Sequence, residues 1–254
     1  MNTYLTHKRL LPTLALACLA PWVSQAEASA TFSSFATVTY TITSLSNSAN
    51  TQDFTGLGIA GSFQLAPDQA TSTITGAGSV NPSATSTATE FLSPAIGSIF
   101  TRTFQLDGTA SNGGEVAANY LAWFDLSFEN TSATDSYDVG LSLSYTLSAN
   151  ATGSSALDNA FTDVTLNYTN ENFDIFAPDM VSAASETINS ESKSVTLPLP
   201  FNFTLAPAGT EGLYVDVGIT GNLQASPVPV PSALWLFASA LLAIPGVRKF
   251  KQAI

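Results

Sequence analysis

An all-β fold is what this sequence predicts, an antiparallel β-sandwich with a β-barrel as the alternative. Three features carry that expectation. Apolar and polar residues alternate with a period of two in one window after another, the mark of strands with one buried face. The polar positions of those windows are mostly Thr, Ser and Asp, so the second face is wet, as antiparallel sheets allow. Between the two ends of the chain no window keeps a helical period, and clusters of turn residues separate the strands.

Taken in order, the chain opens with Lys8 and Arg9 ahead of Leu10–Leu19, an apolar run too short to span a bilayer. Small residues follow at Ser24, Ala26 and Ala28. This is the layout of a secretory signal peptide over residues 1–26, a short helix handed to the Sec machinery and cleaved after Ala26 or Ala28. A lipoprotein signal on Cys18 would call for leucine three residues earlier, where Ala15 stands.

The body, residues 27–226, reads as one β domain. Val38, Tyr40 and Ile42 alternate with Thr37, Thr39, Thr41 and Thr43. Leu57, Ile59, Gly61, Phe63 and Leu65 repeat the pattern, with Gly61 at an expected bulge or close-packing site. Phe100, Arg102, Phe104 and Leu106 form another strand, expected to end at Asp107-Gly108. From Asn119 to Glu129, Tyr120, Ala122, Phe124, Leu126 and Phe128 share one face, and Trp123, Asp125, Ser127 and Glu129 the other. After the turn cluster Asn130–Ser136, Tyr137, Val139, Leu141, Leu143, Tyr145 and Leu147 return on the same period, so these two runs are expected to pair as a hairpin. Further strands fall at Phe161–Tyr168, Val195–Leu205 and Leu213–Leu223. Pro198 and Pro200 mark the second of these as an edge, since proline has no donor for a ladder. The Thr/Ser/Ala/Gly stretches Ser44–Thr51, Ala70–Thr89 and Ala149–Ser155 read as long loops, because small polar side chains cannot seed a core.

Residues 227–254 form a three-part tail. Pro227, Pro229 and Pro231 alternate with Val228 and Val230, which holds the lead-in extended. Ser232–Val247 carries no charge, and as a helix it is about 24 Å long. Its apolar surface comes from Leu234, Trp235, Leu236, Phe237, Leu241, Leu242, Ile244 and Val247. Arg248, Lys249 and Lys251 follow, able to snorkel to lipid headgroups and to hold that end in the cytoplasm. The body then faces outward. A permanent single-span anchor is the alternative, since nothing in the run itself demands cleavage.

The series Val228-Pro229-Val230-Pro231-Ser232-Ala233, then the helix from Leu234, then the basic tip, resembles the PEP-CTERM sorting signal, in its VPLPA-type variant. Val230 stands where the commoner form has an acidic residue, and Ala238 and Ala240 replace the usual helix glycines. The resemblance implies an exosortase-like membrane enzyme that recognises the proline motif. It implies transient residence in the inner membrane, and release or transfer to the cell surface or an exopolysaccharide matrix.

Composition narrows the function classes. Residues 27–231 hold all 19 carboxylates but only two cations, Arg102 and Lys193, a net charge of −17. A surface that anionic repels phosphate backbones, so nucleic acid is excluded as a partner. The single Cys18 and the single His7 both lie in the signal segment, which leaves the body without disulfides, without His or Cys metal ligands and without a His-based triad. Lys193, in the loop-like stretch Asn189–Ser194, lacks Ser-x-x-Lys spacing.

Three roles stay in competition. A structural or adhesive matrix protein needs no cofactor. A carbohydrate- or calcium-binding module would use an aromatic strip near Tyr120, Trp123 and Phe124, or acidic segments at Asp135 and Asp138 or at Asp158 and Asp163. A carboxylate glycosidase would use Asp125 and Glu129. Asn130, Asn150, Asn167 and Asn202 each open an N-x-[ST] triplet, a pattern that arises by chance in a Thr/Ser-rich chain.

Overall fold

A computed structural model describes residues 27–49, 52–62, 69–86, 94–170 and 176–227 of the chain. The signal segment 1–26 and the tail from Val228 onward lie outside the described residues. Glu27–Pro227 forms one compact unit. Its strands are β1 (Ser29–Asn47), β2 (Leu57–Ser62), β3 (Gln69–Ser86), β4 (Ile99–Asn130), β5 (Tyr137–Gly153), β6 (Asn159–Asn170), β7 (Phe176–Ala184), β8 (Ser190–Leu205) and β9 (Thr210–Gln224).

All strand pairs are antiparallel and belong to one sheet, ordered β7-β6-β9-β4-β1-β5-β8, with β2 and β3 on the other side of β4. The sheet is folded along β4. Residues 99–111 of this strand pair with β1, and residues 115–129 pair with β9. Between them Asn112 and Gly113 take positive φ values of 53° and 81°, and β3 shifts register at Gly76, φ 74°. Those left-handed residues bend both strands at one level, so the β1-β5-β8 wing swings over the β9-β6-β7 wing. The result is a curled antiparallel half-barrel, sandwich-like in that two inner faces pack on one another.

Aromatic side chains fill the space between the wings. The Tyr40 ring of β1 lies 5.5 Å from Phe124 of β4, Tyr168 of β6 lies 6.2 Å from Phe201 of β8, and Phe128 of β4 lies 5.2 Å from Phe203 of β8. At the fold line the Phe32 ring occupies the space left by two glycines. A Cβ on Gly108 or Gly221 would lie 2.2 or 2.3 Å from that ring. The outer edges, β7 and β8, are joined by side chains rather than a ladder. Lys193 forms an ion pair with Asp179, Tyr145 Oη donates to Asp179 at 2.8 Å, and the Ser182 N–H donates to Glu191 at 2.8 Å.

The all-β antiparallel expectation holds, and the strands foreseen at 161–168, 195–205 and 213–223 are the cores of β6, β8 and β9. β8 ends the strand order, as its prolines required, and Pro198 and Pro200 fall inside its register shift opposite Leu141/Leu143.

Several local expectations are overturned. Asp107-Gly108 does not end a strand. β4 runs for 32 residues, because Gly108 stays in the ladder opposite Phe32 and leaves room for its ring. The hairpin expected between residues 119–129 and 137–147 does not form, since β1 lies between β4 and β5 and pairs with both. The connection crosses from one wing to the other. The buried Asn130 fixes it by donating to the carbonyls of Asp135, Leu205 and Ala206.

Gly61 pairs regularly with Leu126 rather than forming a bulge; β2 is described as far as Ser62, and Phe63 and Leu65 lie outside the described residues. The stretch 70–86 is strand β3 rather than loop, held along β4 by its backbone although nearly all of it is exposed. Residues 44–47 belong to β1, 149–153 to β5, and Lys193 to β8. In each case backbone pairing to a long neighbour outweighs weak local propensity.

Candidate functional site: the two outer faces

On the β1-β5-β8 wing the outward residues come into register across strands. One row reads Thr85, Thr103, Thr37, Thr146, Ser194 from β3 through β4, β1 and β5 to β8. The next reads Thr101, Thr39, Ser144, Thr196, and a third reads Ser79, Thr109, Thr31, Thr152. Neighbouring strands stand about 4.8 Å apart, so hydroxyls repeat at that interval. Many bond across strands: Thr37 to Thr103 at 2.9 Å, Thr39 to Thr101 at 2.9 Å, Thr31 to Thr152 at 2.7 Å and Thr146 to Ser194 at 3.0 Å. Asp107 is the one carboxylate within the rows from Thr31 to Thr41. The period-two alternation gave the composition of this face, and only the register could align it.

On the other wing, β4 and β9 set Trp123 opposite Asp216, and Asp125 opposite Tyr214. Of the aromatic strip, Tyr120 and Phe124 are core residues, and Trp123 alone turns outward, half-buried. Asp125 and Glu129 do share that face, but the carboxylate that matters to Asp125 is Asp216. Desolvation, helped by the Asp216 charge, pushes the Asp125 carboxyl up to about 6 against the pull of Arg102. Desolvation raises Asp216 as well. A diagonal pair on adjacent strands is about 7–8 Å apart. Arg102 is buried, stacks 4.7 Å above the Phe104 ring and donates to the Trp123 carbonyl, at a point of β4 between Leu121, paired with β3, and Asp125, paired with β2.

The acidic segments read as calcium candidates are used within the fold. Asp138 accepts from Ser46 and Thr204, and Asp163 from Thr220 at 2.7 Å. Asp158, buried, accepts from the Ser155 N–H at 2.9 Å, Ser154 Oγ at 2.8 Å, the Ser226 N–H at 2.7 Å and Ser226 Oγ at 2.8 Å. The Ser226 N–H, with the other three behind it, holds that carboxyl far below its usual range. Among the described residues no three His, Cys, Asp or Glu side chains gather as a metal set.

Asp158 belongs to a pole where both ends of the body meet. The Asn112 N–H donates to the Ala28 carbonyl and Asn112 Nδ2 to Glu27 at 3.1 Å, while Ser154 Oγ, whose proton goes to Asp158, accepts from the Ser29 N–H at 2.9 Å. The Gly113 N–H donates to the Ser226 carbonyl. Nothing in the local sequence signals this convergence, because its members lie far apart in the chain. Of the four Asn-x-Ser/Thr asparagines, Asn130 is buried with its amide fully used, while Asn202 is exposed. Ala26, the motif Val228–Ala233, the anchor residues and the basic tip lie outside the described residues. Comparison with protein-family models and with curated proteins gives no match for the chain.

Proposed function

We propose that the chain is an exported protein of the cell surface or of an exopolysaccharide matrix, with a structural or adhesive role. In this reading a signal helix over residues 1–26 directs export. A single C-terminal transmembrane helix over Ser232–Val247 holds the body outward until an exosortase-like enzyme acts at Val228–Ala233. The curled sheet works as a sandwich whose layers are joined through β3 and β4. Cleavage of the leader after Ala26 is favoured over cleavage after Ala28, because it keeps Ala28, buried and bonded to Asn112, in the fold.

The observation that carries the adhesive role is the hydroxyl face. A body of net charge −17 keeps a nearly uncharged face on one wing, made mostly of Thr and Ser, with Phe35, Gln105 and Asp107 in the two rows between Thr31 and Thr37. Such a face offers many weak, geometrically repeated hydrogen bonds to a hydroxyl-bearing polymer, with little charge repulsion. The test combines intact mass with fractionation of producing cells. The expected body ends near Pro231 in the matrix fraction, and Thr37→Glu with Thr146→Glu shifts it into free culture fluid. A full tail in every fraction overturns the sorting reading, and unchanged retention of the Glu variant overturns the adhesive one.

A further inference from the structure

The opposite wing carries a concave site of different chemistry. Across β3, β4, β9 and β6 one outward row reads Thr73, Ala117, Asn222, Phe161, and the next reads Thr75, Glu115, Gln224, Asn159. Ala117 is the one small side chain in the two rows, and the surface sinks over it into a groove of about 440 Å³. That lies within the range of small-ligand sites, roughly 300–1,000 Å³. Phe161 stands at one wall, 37% exposed. Phe161 is the one apolar side chain among the outward residues of β6, and more than a third of it meets water at the groove.

The groups around it have unused hydrogen-bonding capacity. The side-chain amides of Asn159 and Asn222 make no hydrogen bond among the described residues, and Gln224 Nε2 reaches Glu115 only at 3.4 Å. We infer that this groove is a binding site for a neutral saccharide. An aromatic face accepts the C–H face of a pyranose ring. Planar amides, each donor and acceptor, match vicinal hydroxyls in pairs, and Glu115 accepts from one more hydroxyl.

Other ligand classes fit less well. An acidic sugar or a phosphate meets Glu115 and a body of charge −17. A cation finds one carboxylate where several oxygen ligands are required. An apolar peptide finds a single ring and no pocket for a second anchor.

The inference deepens the matrix reading above, since it gives the body a discrete glycan contact besides the hydroxyl face. It is tested with the full chain in a non-glycosidic detergent, against tetramers of β-1,4-glucose, β-1,4-N-acetylglucosamine and α-1,4-glucose, with a tetrauronate as charged comparator. Saturation-transfer NMR and calorimetry are the readouts. At least one neutral tetramer is expected to bind. Phe161→Ala should weaken that binding at least tenfold, and Asn222→Asp should weaken it too, both with the wild-type circular dichroism spectrum and a cooperative melt above the assay temperature. Failure of every neutral tetramer at millimolar concentration, preference for the uronate, or full binding by Phe161→Ala each overturns the site. A chain retained in the matrix that binds no tetramer overturns the groove alone and leaves the hydroxyl face standing.

Discussion

Replacing Asp158 by Asn tests whether the pole at which both ends of the body meet is held by one carboxylate. Asp158 is 2% exposed and accepts four hydrogen bonds, two on each oxygen, from Ser154, Ser155 and Ser226. Asn keeps the shape but only one accepting oxygen, and it turns an NH2 group towards donors. Two charge-assisted bonds are lost and the other two become neutral, at about 1.5–3 kcal/mol for each bond to a charged group. With relaxation and water entry the loss is expected near 3 kcal/mol. For a body of this size that corresponds to a fall of roughly 6–12 °C in melting temperature.

The pH dependence gives the sign. The folded pKa of Asp158 is depressed, so its stabilisation is complete above the unfolded value of about 3.9 and is lost as pH falls through the folded value. The gap between wild type and Asp158→Asn, read by thermal denaturation followed by circular dichroism, should be constant from pH 8 to 5 and close progressively below pH 4. An equal melting temperature at pH 7, or a gap that persists undiminished in strong acid, would refute the assignment.

Other substitutions probe the interior and the second wing. Gly108→Ala sets a methyl against the Phe32 ring and should destabilise by about 2–3 kcal/mol in denaturant titration, with partial rescue by Phe32→Leu in a double-mutant cycle. Asp125→Asn should stabilise. A raised folded pKa means stability is lost as pH climbs from about 4 through about 6, so the variant's advantage is absent at pH 4 and about 1 kcal/mol at pH 8, after discounting for solvent screening. Tyr40→Phe removes a fully buried hydroxyl that has no hydrogen-bond partner among the described residues, and should raise stability by about 1 kcal/mol. A loss of stability in that variant would show that the hydroxyl is satisfied.

Much of the architecture was legible in the residues. Alternation at Thr37–Thr43, Asn119–Glu129 and Tyr137–Leu147 determined that these runs are strands, and which of their side chains enter the core. Pro198 and Pro200 determined that β8 lies at an edge. Charge and the absence of His and Cys from the body limited its chemistry. The tail's order of prolines, apolar run and cations is the ground on which the address is proposed. These are local properties, fixed by side-chain period and backbone sterics.

What alternation cannot encode is the neighbour, because a strand with one apolar face fits beside any other such strand. Only the tertiary structure decided that β1 separates β4 from β5. It also turned a Thr/Ser/Gly stretch that reads as loop into β3, by pairing it to a 32-residue strand. The same register aligned the hydroxyl rows, set Asp216 near Asp125 and brought Asn159, Phe161 and Asn222 to the rim of one groove. Their meeting depends on strand order and on the bend at Asn112–Gly113, where backbone geometry rather than composition folds the sheet upon itself.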